Sequence, residues 1–146
     1  MQRPLSELLY VSRSRVSPTQ GAEAIADIVK VSVARNAGLG VTGALMWTGR
    51  AFAQTLEGDV AALDVLMTSI NRDGRHHQVR VVQQGALDTR RFPGWALAYA
   101  GGASFVSGLI EPLLEDPSQP CDSAAVAKLS RAMRAFAEQA GSEPYG

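Results

Sequence analysis

A single cysteine, Cys121, stands beside prolines in a chain of 146 residues. One thiol builds neither a disulfide framework nor a cysteine-based metal site, and the simple inference is a reducing compartment. Charge of one sign is not in excess either. Fourteen Lys plus Arg face fourteen Asp plus Glu, and the arginines are spread along the chain. That argues against non-specific binding to nucleic acid or to a membrane surface, which needs a basic surplus. No apolar run approaches the roughly 20 residues of a membrane-spanning helix. The start, Met1-Gln2-Arg3-Pro4, leads into an apolar run of strand length, with no secretory core and no cleavage site. The expectation is a soluble, cytoplasmic protein.

Catalytic groups are also scarce. No Ser or Cys has a His and an acid in a plausible arrangement. Gly38-Leu-Gly40 and Gly40-Val-Thr-Gly43 fit neither known phosphate-cradling pattern. His76 and His77 are adjacent, but neighbours on an extended chain point opposite ways and rarely chelate one ion. No metal site is expected.

What the chain does contain is the material of an ordinary core, with 46% hydrophobic and 19% charged residues. Its length fits one domain plus a short appendage. Leu5 to Ser12 reads as a strand carrying Tyr10, and residues 13 to 21 as a loop. From Ala22 to Ala37, Ile25, Ile28, Val29 and Val33 recur at helical spacing, and Gly38 and Gly40 end the helix. Val41 to Thr48 and Ala51 to Glu57 read as a hairpin turning at Thr48-Gly49-Arg50. Asp59 caps a second helix with Val60, Leu63, Leu66, Met67 and Ile70 on its apolar stripe. Val79 to Gln84 is a fourth strand, Arg91 to Gly94 a turn, and Trp95 to Tyr99 a fifth strand. Glu115 to Ser123 is a boundary rich in Pro and Ser. Ser123 to Ala140 is a helix with Val126, Leu129, Met133 and Phe136 on one face.

The first six elements have the split βαβ order of a ferredoxin-like domain, an α+β fold. The expectation is βαββαββ: a five-stranded mixed sheet with two helices on one face, followed by a C-terminal helical extension. The boundary is placed between residues 102 and 103. The helical stripe of the extension could cover the open face of the sheet or meet a second subunit.

Gln54 is the residue that asks for an explanation. It sits in a strand that otherwise reads as buried, and an amide there must find partners for one oxygen and two N–H groups. In this strand order the first and third strands are central neighbours, so Tyr10 and Gln54 can meet under the helices. A hydrogen bond serving only the fold is one reading; a polar ligand in the core is the other. Ser32 and Asn36, with Arg35 adjacent, make a polar stripe along the first helix, although Asn36 also suits a helix cap. Such a stripe fits edge-on recognition of a flat heteroaromatic ring. Asp73-Gly-Arg-His-His77 reads as an exposed polar loop, or as a place where Arg75 meets a phosphate and His76 stacks on a ring. Glu57 reads as a turn or solvent residue, and Trp95 as core.

Five segments, in order, are similar to the BLUF domains, blue-light sensors that use FAD. They are Leu-Leu-Tyr-Val-Ser, Ala-Arg-Asn before Gly-Val-Thr-Gly-Ala-Leu, Phe-Ala-Gln-Thr-Leu-Glu-Gly, Asp-Gly-Arg-His, and Arg-Arg-Phe-Pro-Gly-Trp. The resemblance spans about Leu5 to Tyr99. It implies noncovalent FAD, with Tyr10 and Gln54 as the photoactive pair. It implies Ile28, Ser32, Arg35, Asn36, Gln54, Arg75 and His76 around the flavin. Trp95 and Leu97 would carry the signal onward. Leu97 stands where many members have methionine and cannot accept even a weak hydrogen bond. The implied function is a photoreceptor, not an enzyme, acting on a separate effector or through a homodimer or higher oligomer. A flavin-binding module that is not photoactive is the first alternative. An acylphosphatase-like enzyme is the second, although the loop after the first strand lacks a glycine-rich cradle.

Overall fold

The structure is a computed structural model of the chain and describes residues 4–17, 19, 21–93, 98–99, 104–116 and 118–140. Its elements are β1 (Ser6–Ser14), α1 (Gly21–Leu39), β2 (Thr42–Trp47), β3 (Ala51–Gly58), α2 (Val60–Arg72), β4 (His76–Ala86), β5 (Ala98–Tyr99), α3 (Ser104–Leu114) and α4 (Ser123–Ala140). Four strands form an antiparallel sheet in the order β4-β1-β3-β2, and β5 pairs with β2 in parallel at the far edge. α1 joins β1 to β2 and α2 joins β3 to β4, each a pair of strands that run the same way with another strand between them, so β1 and β3 lie inside the antiparallel sheet.

Local chemistry explains the boundaries. α1 stops at Gly40, whose φ of 68° is a left-handed conformation that costs glycine nothing. Asp59 caps α2, its carboxylate accepting from Ala62 N at 2.9 Å. Val60 follows the cap and is exposed rather than part of the apolar stripe. Gly43 is required by a close approach: a Cβ there would stand 2.0 Å from the carbonyl oxygen of Thr55.

The sheet is covered on both faces. On the front, Ile25 and Val29 of α1 pack with Leu45 and Phe52, and Leu63, Leu66 and Ile70 of α2 pack with Leu8, Tyr10 and Leu56. On the back, Leu9, Val11, Ala44, Met46, Ala51 and Ala53 share one core with α3 and α4. The two helices expected on one face are α1 and α2, and the C-terminal extension, as two helices rather than one, covers the other. The stripe Val126, Leu129, Met133 of α4 lies in that rear core. α3 contains Pro112 and Gly108, which hid it in the sequence.

β4 is also longer than expected, because it starts at His76. Its pairing with β1 slips twice, between Val11 and Arg13 and between Leu9 and Tyr10. At the first slip Gln78 has a φ of 52°. An extra residue at each slip breaks the inside–outside alternation by which a strand is recognised.

Candidate functional site

The register of the central strands sets Tyr10 directly opposite Gln54. Both face the two front helices and both are buried. The phenol donates to Gln54 Oε1 at 2.6 Å. Burial pushes the Tyr10 pKa well above its ordinary value; the Asp73 carboxylate adds to this and Arg35 opposes it. The phenol is thus held as a neutral donor, and the amide oxygen is committed to it. That leaves the amide's N–H groups to serve as donors on its other side.

A cavity of about 240 Å³ opens above this pair, between α1 and α2. Tyr10, Leu45, Phe52 and Gln54 form its floor. α1 contributes Ile28, Val31, Ser32 and Arg35; α2 contributes Ser69, Ile70 and Arg72; the turn into β4 contributes Asp73, Arg75 and His76. Arg35 Nη1 donates to Ser69 Oγ at 3.2 Å, while its Nε is buried with no hydrogen-bond partner among the described residues. A buried N–H on a cation is costly to leave unmatched, so the cavity wall holds an unused donor.

His76 is fixed from both sides. Its Nε2 donates to the carbonyl oxygen of Ile70 at 2.6 Å. Its Nδ1 is hydrogen-bonded to the hydroxyl of Ser12 at 2.7 Å. The ring meets Tyr10 and Phe52 edge-on, with centroids 6.0 and 5.9 Å away. Reading His76 as part of an exposed loop is therefore wrong: it is a buried residue at the start of β4. Its neighbour Arg75 is half-exposed and donates through Nε and Nη2 to both carboxylate oxygens of Asp73. That guanidinium holds the Asp73 carboxyl below the usual carboxylate range.

Of the residues expected at the site, Tyr10, Ile28, Ser32, Arg35, Gln54, Arg75 and His76 line one cavity. Asn36 is buried one helical turn past Ser32, outside that lining, and its backbone oxygen accepts from Val41 N. Trp95 and Leu97 lie outside the described residues. Phe52, Leu45 and Asp73 were not expected there. Phe52 could have been found from its position two residues before Gln54, on the same face of β3.

Glu57 is the residue the sequence misled on. It is 1% exposed, and its carboxylate accepts from the backbone N–H groups of Arg91 and Phe92 at 2.9–3.0 Å. Arg90 donates to the oxygens of Gly40, Thr42 and Glu57 beside it. Together they clasp the segment after β4 to the ends of β2 and β3.

A family model described as BLUF, sensors of blue light using FAD, matches residues 5–98. Among characterised proteins, the chain is 34% identical over 91 residues to photoactivated adenylate cyclase subunit alpha of Euglena gracilis. The match covers 62% of this chain and 9% of that protein. The beta subunit of Euglena longa is 32% identical, with 62% and 11% covered. The chain thus spans about a tenth of the length of these relatives. Among solved structures, the dark-state BLUF protein BlrB superposes with a TM-score of 0.72 at 32% identity, covering 92% of this chain and 98% of that one. BlsA in its ground state gives 0.73 at 20% identity, with 89% and 87% covered, a likeness of fold.

Proposed function

The chain belongs to the BLUF family, the sensors of blue light using FAD, and on that premise we propose that it is a blue-light photoreceptor holding FAD noncovalently between α1 and α2. One observation carries the reading: the 2.6 Å hydrogen bond from the Tyr10 phenol to the Gln54 amide, on the floor of the cavity. The lining fits the group. It offers an amide, a hydroxyl at Ser32 and the unused Nε of Arg35 to an acceptor-rich ring edge. At about 240 Å³, the cavity is below the roughly 300–1,000 Å³ of whole-ligand pockets. That size would suit the ring alone, and Arg72 and Arg75 of the lining would be the cations for its anionic tail. Ile28 and His76 of the lining would hold the group, and Asn36, one turn past Ser32, would support the site from outside that lining.

Bound there, FAD supplies the absorbing ring and the electron acceptor. Tyr10, held 2.6 Å from the Gln54 oxygen, would be the residue that supplies an electron to that acceptor, and its phenolic proton would have the hydrogen bond to Gln54 as its path. Both return, so nothing is consumed and no substrate is turned over. What persists is the amide of Gln54, rotated or tautomerised, with a changed set of donors and acceptors. A packed two-state element must read that change. Trp95, Leu97 and the C-terminal helices are that element, and the signal passes to a separate effector protein or through a dimer in the cytoplasm. In this reading the sheet is ferredoxin-like with β5 as its fifth strand. Residues 1–102 form the sensor and 103–146 the output layer.

The test is an absorption spectrum of the FAD-loaded protein before and after blue light. A red shift that reverses in darkness is expected, and Tyr10→Phe should stay yellow without shifting. Protein that binds no flavin even in excess FAD, or a Tyr10→Phe protein that cycles normally, overturns the proposal.

A further inference from the structure

A second cavity, of about 410 Å³, lies on the opposite side of the sheet between β4 and α4. Ser123, Ala127, Ser130 and Arg134 of α4 recur at helical spacing along one wall, flanked by Val126 and Arg131. Val82 and Gln83 of β4 form the other wall, with Arg91 at its end. The lining therefore holds three guanidiniums and no carboxylate. Glu7 lies behind it, accepting from Gln83 Nε2 at 3.1 Å and pairing with Arg91 at 3.5 Å, which sets these two side chains in place. Arg131 and Arg134 have no ion pair among the described residues. Arg134 Nε is buried with no hydrogen-bond partner there.

Three guanidiniums with one carboxylate among them repel one another, Arg131 least because it is exposed, and the buried N–H of Arg134 with no acceptor adds to that cost. An anion with several oxygens removes both penalties, and the planar fork of arginine matches phosphate oxygens in pairs. Two uncompensated cations favour a dianion over a single carboxylate. Val82, Val126 and Ala127 leave an apolar wall for the body of such a ligand. We propose that this rear cleft binds a phosphate-bearing small molecule carrying at least two negative charges, at a site separate from the flavin cavity.

The probe is inorganic pyrophosphate, titrated into the FAD-loaded protein while its thermal midpoint and flavin spectrum are followed. The expected result is a saturable rise in midpoint with an unchanged flavin spectrum. Succinate, a dicarboxylate dianion at neutral pH, should be much weaker. In the Arg131→Gln/Arg134→Gln double variant the apparent affinity should fall roughly tenfold or more, with flavin binding kept. Arg134→Lys, a milder change, should weaken binding less than the double variant, because charge stays and the fork is lost. No saturable rise, an equal rise in the double variant, or an equal response to succinate overturns the proposal. Because the flavin spectrum is recorded in the same samples, a failure here is distinct from a failure of the photoreceptor reading.

Discussion

Tyr10 couples a hydrogen bond to a buried phenol, and both halves can be measured. Tyr10→Phe strands Gln54 Oε1 without its donor, which should cost about 1–3 kcal/mol in urea unfolding. The phenol's raised pKa acts at alkaline pH. The unfolded chain loses this proton near pH 10 while the folded chain keeps it, so stability is whole below about pH 10 and falls above it. Tyr10→Phe should therefore flatten the alkaline limb of a plot of thermal midpoint against pH. The Asp73–Arg75 pair acts at the other end. Its stability is present above the carboxylate's unfolded value near 4 and is lost as pH falls through the lower folded value. Arg75→Gln should flatten the acid limb, read from the same plot. At this scale the sequence was most legible for Tyr10 and Gln54, since strand order puts their strands side by side and the register then sets them opposite. It was least legible for Glu57. That side chain's partners are backbone amides more than thirty residues away, and no local pattern encodes them.

Among elements, the segment after β4 depends on that same carboxylate. Glu57→Gln removes the charge that holds the Arg91 and Phe92 amides, at a cost of about 1.5–3 kcal/mol for charge-assisted hydrogen bonds. Hydrogen exchange at those two amides should quicken much more than exchange in β1. The hairpin and the two front helices were readable because caps, turn glycines and apolar periodicity agree there. β4 was half-read because two bulges interrupt its alternation, and the unread half holds His76. α3 was missed because glycine and proline inside it mimic a loop; tertiary packing of Val106, Ile110 and Leu113 outweighs both.

At the scale of the molecule, the sheet and the rear helices are one structure. Arg80 of β4 donates to the carbonyl oxygens of Leu113, Asp116 and Gln119, and Arg13 of β1 pairs with Glu111 of α3 at 3.1 Å. Leu129 is fully buried in the core they share. Leu129→Ala should cost about 2–5 kcal/mol. Unfolding should remain a single transition by circular dichroism and by flavin release alike. Separate transitions would mean that α4 melts on its own. β3 itself has very uneven sides. Gln54 faces the cavity, while its neighbour Ala53, with Ala51, presents only methyl groups to the rear core. Met46 of β2, opposite Ala53, is the long side chain on this part of the rear face, and it is fully buried. A displacement of the strand by a fraction of an ångström beneath the amide would press, through these methyl groups and Met46, on the helical layer behind it, as a finger on one side of a drumskin is felt on the other.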